Sequence, residues 1–475
     1  MVQDRPQRNA FVAAESLDTV SPAPPISFGE ALRLWTRIGW LSFGGPAGQI
    51  ALMHRELVER RRWISETRFL HALNYCMLLP GPEAQQLATY IGWLLHRTWG
   101  GIVAGGLFVL PGVVVMLALS WLYVRYSTLG PVAALFFGLK AAVLAVVVEA
   151  VLRIGRRGLR NRFMVGIAAG AFLAIYFFKV PFPLIVAGAA LIGIMMRGLA
   201  PRYVEQATPS RAQVSNDSVV DRMHDAGQLV HAQPSARRAL RLTVVCLLIW
   251  MAPVAVVAAW LGTEHVLARE GVIFGQTAVV TFGGAYAVLA YIGQRAVEEL
   301  HWLRPGEMID GLAMAETTPG PLIMVLQFVG FVAAYRYAGP LDPWLAAVLG
   351  ACLTTWVTFV PSFAFIFIGA PYVESLRQHR GLNAALSCVT AAVVGVILNL
   401  SVWFATHTLF GRVEAESYGL VHVDVPVWST LEPAALILAV ASMIAMLRFK
   451  VGMAWTLAAS AALGLAFKLA TTLQQ

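Results

Sequence analysis

Long apolar stretches separated by short polar connections make up most of this chain. A helix needs about 20 apolar residues to cross the hydrocarbon core of a bilayer, and several stretches reach that length. The predicted membrane helices cover residues 99–123, 132–152, 163–178, 184–196, 242–261, 344–368, 384–404, 434–447 and 451–467. The pattern predicts an all-α polytopic membrane protein.

Composition supports this prediction and narrows the function. Hydrophobic residues make up 58% of the 475 residues and charged residues only 13%, which leaves no room for a sizeable water-soluble domain. The formal net charge of +9 does not indicate nucleic-acid binding, because Arg and Lys fall in the connections between spans, where they set topology. The four cysteines have neither metal nor redox spacing, so we expect no metal and no cofactor.

The chain divides into two halves that repeat the same motifs. "SFGG" at 42–45 corresponds to "TFGG" at 281–284, Trp63 to Trp302, and Pro-Gly-Pro at 80–82 to Pro-Gly-Pro at 319–321, all with an offset of 239 residues. A hydrophilic stretch between the halves is typical of a flexible linker. We predict a cytoplasmic tail at 1–27, a first repeat at 28–196, a cytoplasmic linker at 197–241, a connecting transmembrane helix at 242–261 and a second repeat at 262–475.

Basic residues in the connections predict opposite orientations for the halves. In the first half, Arg clusters at 55–68 and 153–162 mark the cytoplasmic side. In the second half, the matching loop mixes Arg with Glu and Asp, and the basic ends lie instead at 377–380 and 448–450. This charge pattern fits the positive-inside rule if each Pro-Gly-Pro segment enters and leaves the membrane on the same side. We predict two inverted-topology repeats with broken or re-entrant helices, a cytoplasmic N-terminus and an external C-terminus.

The two Pro-Gly-Pro trios predict helix breaks at membrane depth. Proline lacks an amide donor and glycine lacks a side chain, so each trio ends one helix and begins another. Broken backbone in a membrane must face protein or a watery cavity, because lipid cannot satisfy it. Half-helices starting at Pro82 and Pro321 would present amides and a positive dipole end, which together favour an anion. Paired breaks in two inverted halves are typical of a transporter's central site.

Four motifs together resemble one family. They are "SFGGPAGQIALMHRELVERRRW", "LLPGPEAQQLATYIGW", "TFGGAYAVLAYI" and "ETTPGPLIMVLQFVGF". In their order and spacing, over roughly residues 28–400, they look like the long, two-domain members of the chromate ion transporter family. The resemblance implies chromate efflux and chromate resistance. The absence of organelle-targeting features favours the bacterial inner membrane.

Three charged residues inside or beside the apolar regions are candidates for a function. Lys140 is near the middle of the 132–152 span, where an unpaired charge costs at least about 2.5–3.5 kcal/mol. We favour an anion-attracting role for it over a side chain that reaches the interface. Glu83 and Glu316 adjoin the two trios and are candidates for proton coupling or gating. The alternative for both is structural, since an acid near a helix N-terminus offsets the dipole.

Further residues at the breaks can bind an oxyanion through amides and hydroxyl groups. Their alternative role is hydrogen bonding between helices. Together with Lys140, the predicted substrate-binding residues are Gly44, Gly45, Gly81, Pro82, Gln85, Gln86, Gly283, Gly284, Thr317, Thr318, Gly320 and Pro321.

We weigh three functions. The first is a secondary active transporter that exports chromate, driven by the membrane potential or a proton gradient; two negative charges moving across 100 mV yield roughly 4.6 kcal/mol. The second is a transporter or channel for sulfate or another oxyanion. An enzyme ranks last, because the sequence has no GxGxxG, HExxH or clustered Cys. The expected partners are chromate or sulfate-like oxyanions and the lipid bilayer, with no nucleic acid; a homodimer is compatible.

Overall fold

The computed structural model describes residues 26–43, 45–200, 218–225, 229, 231, 233–280, 282, 285–372, 380–419 and 421–472. The helices are α1 (Phe28–Leu41), α2 (Gly45–His54), α3 (Glu66–Cys76), α4 (Glu83–Tyr126), α5 (Gly130–Gly158), α6 (Arg162–Phe178), α7 (Phe182–Leu199), α8 (Val219–Asp225), α9 (Ala236–Leu261), α10 (Val266–Val280), α11 (Ala285–Gly293), α12 (Pro305–Thr317), α13 (Val325–Arg336), α14 (Pro343–Gly369), α15 (Arg380–Leu409), α16 (Pro433–Leu447) and α17 (Met453–Thr472). A hairpin of β1 (Val413–Tyr418) and β2 (Val421–Pro426) joins α15 to α16.

The prediction of an all-α polytopic membrane protein is confirmed. Seven of the described helices are long and apolar enough to cross a membrane: α4, α5, α7, α9, α14, α15 and α17. The other predicted spans coincide with α6 and α16, which are shorter apolar helices. The hairpin of β1 and β2 was not predicted.

The first Pro-Gly-Pro trio lies at the tip of a helical hairpin. One arm is α3, and the other is the start of α4, which turns back on itself at non-helical His96 and Arg97. The two outer ends of this hairpin meet the start of α1. Arg61, which precedes α3, is bonded to Glu30 at 3.1 Å, and His96 contacts the carbonyl of Ile26 at 2.9 Å. The hairpin therefore leaves on the face where it entered.

The second trio lies at the tip of an equivalent hairpin made of α12 and α13. Arg336, at the end of α13, donates to the carbonyl of Trp302 at 3.0 Å and binds the carboxylate of Glu307 in the first turn of α12. Both arms thus end at the same face. Nearby, His265 at the start of α10 contacts the carbonyl of Ala338 at 3.2 Å.

The two hairpins begin on opposite faces of the molecule. His231, just before α9, contacts the carbonyl of Trp93 in the first hairpin at 3.1 Å. The far end of α9 leads directly to His265 and the second hairpin. Because α9 has 26 residues, these points are separated by about 39 Å along its axis.

Backbone features recur at the same offset of 239 residues as the motifs. A π-helical turn precedes each hairpin, at Arg55–Arg60 and at Gln294–Glu299. The amide of Trp63 donates to the carbonyl of Leu57, as that of Trp302 does to Ala296. This correspondence extends the repeat from sequence motifs to local backbone geometry.

Residues 218–225 of the 197–241 stretch pack against the outer end of the first hairpin. The amides of Val219 and Val220 donate to the carbonyls of Arg62 and Trp63 at 3.2 and 3.1 Å. Asp221 is bonded to Arg68 and accepts from the Ser218 hydroxyl group at 2.6 Å. This part of the stretch therefore covers the outer end of the first hairpin, which differs from a linker that is free throughout.

Candidate functional site

The tip of the second hairpin meets the break between α1 and α2. The amide of Gly320 donates to the carbonyl of Ser42 at 2.9 Å. The side-chain amide of Gln49 donates to the carbonyl of Gly320 at 2.6 Å and to that of Ser42 at 3.3 Å. All three residues are buried. Two interrupted helices, one from each half, thus form hydrogen bonds to each other's unpaired backbone groups in the interior.

Each Pro-Gly-Pro tip packs on a long helix of the other half. A β-carbon added to Gly320 would lie 3.3 Å from the α-carbon of Gly112 in α4, and one added to Gly81 would lie 2.7 Å from the hydroxyl oxygen of Ser362 in α14. The φ angles of Gly81 and Gly320 are 110° and 95°, which disfavour any other residue. The backbone conformation therefore favours glycine at both tips, and the packing there leaves little space for a β-carbon.

The predicted residues of the first half lie at or beside these contacts. Gly45 begins α2 with φ 70°, and a β-carbon there would meet nothing within 4 Å. Pro82 precedes α4, and Gln85 and Gln86 in its first turns are fully buried. Gly44, Gly283 and Gly284 lie outside the described residues.

One N–H of each glutamine is used by the chain itself. Gln85 donates to the Thr89 hydroxyl group at 3.0 Å, and that group in turn donates to the carbonyl of Gln85. Gln86 donates to the carbonyl of Pro80 at 2.7 Å. The side-chain oxygens of both glutamines are buried and have no hydrogen-bond partner among the described residues. This region therefore offers acceptors as well as donors.

In the second half, the two threonines before the trio face their own helix. Thr317 donates to the carbonyls of Ala313 and Met314, and Thr318 donates to that of Ala315. Each hydroxyl group has a single proton, so it can donate to an anion only after rotating. Pro321 is buried and leads into a short 3-10 turn before α13.

Lys140 is paired with a carboxylate that sequence reasoning missed. Its ammonium group lies 3.2 Å from Asp310 Oδ2, and the same oxygen accepts from the Tyr123 hydroxyl group at 2.8 Å. Asp310 is buried, and its second oxygen has no hydrogen-bond partner among the described residues. The signal was an aspartate within the apolar helix "MIDGLAMAE". The charge of Lys140 is therefore balanced within the protein.

The two coupling candidates lie in different surroundings. Glu316 is buried and accepts from the Tyr286 hydroxyl group at 2.6 Å, which joins α12 to α11. Glu83 is half-buried and begins α4 directly after the trio. The structure does not bring the two carboxylates into one pair.

A cavity of about 670 Å³ opens at the face where the second hairpin ends. The hairpin of β1 and β2 forms one wall. The charged and imidazole groups that line the cavity are Lys179, Glu298, His301, Arg304, Arg336, His407, Glu416, His422 and Asp424. Burial lowers the pKa of Lys179, but the nearby Glu298 and Asp424 carboxylates outweigh burial and hold it above its ordinary value. Lys179 therefore keeps its positive charge in this cavity, where it is paired with Glu298 and Asp424.

Known proteins resemble the chain over both halves. A family model described as Chromate transporter matches residues 29–194 and 271–465. The chromate transport protein of Pseudomonas aeruginosa is 33% identical over 400 residues, 81% of this chain and 82% of that protein. The chromate transport protein of Cupriavidus metallidurans is 26% identical over 414 residues, 85% and 88% of the two chains. No solved structure matches the chain. The chain belongs to the chromate transporter family.

Proposed function

We propose that this member of the chromate transporter family is a secondary active transporter, not an enzyme, that exports chromate across the bacterial inner membrane and so gives chromate resistance. The observation that carries the proposal is the meeting of two broken helices, one from each half, at Ser42 and Gly320 in the interior. Broken helices at the junction of two repeats are where secondary transporters bind their substrates.

The repeats are inverted in this proposal. Support comes from the two hairpins, which start at opposite ends of α9, and from the shared offset of 239 residues. Arginine is concentrated where the first hairpin ends, for example at Arg55 and Arg62, and the positive-inside rule assigns that face to the cytoplasm. The N-terminus is then cytoplasmic, and the cavity beside β1 and β2 opens to the outside.

Chromate binds at the tips in this proposal, where the backbone amides that follow Pro82 begin α4 and those that follow Pro321 begin the 3-10 turn that leads into α13. Such N-termini favour an anion through their dipole and amides. Gly45, which borders open space, lets the anion approach the backbone closely. Lys140 is paired with Asp310 but is the more exposed of the two, and it attracts the anion in this proposal.

The driving force is the membrane potential, a proton gradient or both. An inside-negative potential favours the exit of a dianion by about 2.3 kcal/mol per charge per 100 mV. Sulfate and other tetrahedral dianions present similar oxygens to the same amides, so a transporter or channel for them is the competing proposal.

Radiolabelled chromate uptake into inverted membrane vesicles tests the proposal. We expect accumulation in energised vesicles that carry the protein, and its loss on adding an uncoupler. Vesicles from cells that lack the protein serve as the control. Accumulation of sulfate without accumulation of chromate would contradict chromate as the substrate. Chromate uptake that is unchanged by the uncoupler would contradict active transport.

A further inference from the structure

Glu270 is a buried carboxylate for which the proposed site has no use. It lies in α10, its side chain is fully buried, and both carboxylate oxygens have no hydrogen-bond partner among the described residues. Acidic residues at such positions are rare within membrane proteins, and they mark ion or proton pathways.

Small residues of two other helices make room for this carboxylate. A β-carbon on Gly350 in α14 would lie 2.9 Å from Glu270 Oε2 and 2.6 Å from the β-carbon of Ala334 in α13. One turn further along α14, the Thr354 hydroxyl group abuts Gly330 and also lacks a hydrogen-bond partner among the described residues. The pocket is thus shaped around Glu270 and leaves its oxygens without donors.

Charges that could balance an ionised Glu270 are absent from the helix faces around it. The ionisable residues of the helices that contact α10 are Tyr335 and Arg336 on α13, Cys352 on α14, Arg237, Arg238, Arg241 and Cys246 on α9, and Tyr286 and Tyr291 on α11. Arg336 is bonded to Glu307, and Tyr286 donates to Glu316.

The remaining charged groups are remote or face outward. α9 touches α10 through Val254, which packs on Gly271. Arg241 is thirteen residues before Val254, about 20 Å along the helix. On α10 itself, Arg269 is exposed. An ionised carboxylate is costly to bury where no charged or hydrogen-bonding group of the described residues faces it, so this pocket favours the neutral carboxyl group.

The position of Glu270 connects it to one face of the molecule. It lies four residues after Val266, where α10 begins, and so about 6 Å below that helix end. His265, immediately before α10, contacts the carbonyl of Ala338, next to the Arg336 and Tyr337 side chains that line the cavity of about 670 Å³. This cavity therefore opens at the same end of the molecule as the start of α10.

We propose that Glu270 is the proton-carrying carboxyl group of the transport cycle. The inference rests on the proposed function and specifies its coupling. When α10 and α14 separate, the carboxylate takes one proton from water in the cavity. The conformation described here encloses the neutral carboxyl group. The proton is released on the opposite face, so one positive charge moves inward while the oxyanion moves outward.

The test compares wild type with Glu270→Gln and Glu264→Gln in proteoliposomes. Glu264 is exposed in the turn just before α10 and is the matched control. In the first measurement, an outward chromate gradient is imposed and a pH dye trapped in the vesicles reports proton movement. In the second, chromate is at equal concentration on both sides and labelled chromate reports exchange. We expect the proton flux of Glu270→Gln to be at least ten-fold below that of wild type. The exchange of labelled chromate should be retained. Glu264→Gln should keep both.

Proton flux of wild-type size in Glu270→Gln overturns the inference. If wild type carries no chromate, the proposed function fails, and infrared spectroscopy decides the inference separately. The carbonyl band of a protonated carboxyl group should be present in wild type at neutral pH and reduced in Glu270→Gln; an unchanged band overturns the inference. Should Glu270→Gln fail to fold, Glu270→Met fills the same space without a polar group and replaces it in both measurements.

Discussion

At the scale of single residues, the pairing of Lys140 with Asp310 changes what a Lys140 substitution measures. Removing either partner leaves the other charge inside the protein, which costs about 3 kcal/mol for a buried pair. We expect Lys140→Met and Asp310→Asn each to lower the melting temperature and chromate transport. The double variant Lys140→Met/Asp310→Asn should recover the melting temperature, because no lone charge remains.

Transport by the double variant separates the two roles of Lys140. If the lysine only neutralises Asp310, transport in vesicles should return together with stability. If it attracts the anion, stability should return while uptake stays at least ten-fold below wild type. We expect the second outcome, because the Lys140 side chain is 27% exposed whereas that of Asp310 is 5% exposed.

Gly320 gives a second prediction at this scale. Alanine at φ 95° is strained, and its β-carbon would press on Gly112, so Gly320→Ala should lose more than about 1 kcal/mol of stability and most transport. Gly106→Ala is the control, because a β-carbon on this helical residue of α4 meets nothing within 4 Å. Equal melting temperatures and equal chromate uptake for the two variants would contradict the close contact between Gly320 and Gly112.

At the scale of elements, the docked segment around α8 ties the chain between the halves to the first hairpin. Burial raises the pKa of Asp221, but hydrogen bonds from Ser218 and Arg68 outweigh burial and hold it below its ordinary value of 3.8. A lowered carboxylate pKa stabilises the docked state above that ordinary value, and this stabilisation is lost as the pH falls through the lower pKa. Docking should therefore persist throughout the neutral range.

Asp221→Asn tests this docking. The variant removes the charge but keeps the shape, so we expect the segment to be cleaved several-fold faster by a protease added at neutral pH. Asp342→Asn, at the start of α14, controls for the general loss of a carboxylate. Cleavage at the wild-type rate would mean that the backbone bonds of Val219 and Val220 hold the segment without Asp221.

The sequence predicted helices better than it predicted contacts. Apolar length located the seven described helices that are long enough to cross a membrane and the shorter apolar helices α6 and α16, because that signal is local and depends on the thickness of the bilayer. The Pro-Gly-Pro trios likewise predicted breaks, since the backbone chemistry of proline and glycine does not depend on neighbours. The partner of Lys140 lies 170 residues away, and no local pattern pairs it with Asp310.

Glu270 was overlooked for a related reason. One acid beside an arginine, in "LAREGVIF", is typical of a solvent-facing turn of a helix. Only the packing of α13 and α14 reveals that Glu270 is enclosed while Arg269 is exposed. The hairpin of β1 and β2 escaped prediction because the spans on either side dominate the hydropathy pattern.

At the scale of the whole molecule, the two hairpins begin on opposite faces. The two ends of α9 should therefore be accessible to a labelling reagent from opposite sides of the membrane. Gln233 lies just before α9, Thr263 lies just after it, and Ser417 lies on β1; all three are exposed. In a variant without the four native cysteines, each is replaced singly by cysteine. A membrane-impermeant maleimide applied to intact spheroplasts should label Thr263→Cys and Ser417→Cys but not Gln233→Cys.

Permeabilised spheroplasts provide the control, because all three cysteines should then react and show that each is accessible. Chromate uptake by each variant confirms that the labelled protein is native. Labelling of Gln233→Cys and Thr263→Cys from the same side would contradict the crossing of the membrane by α9 and with it the inverted repeats. Labelling of Gln233→Cys alone from outside would keep the inverted architecture but reverse its orientation, which would turn the cavity beside β1 and β2 toward the cytoplasm and make it the site of chromate entry.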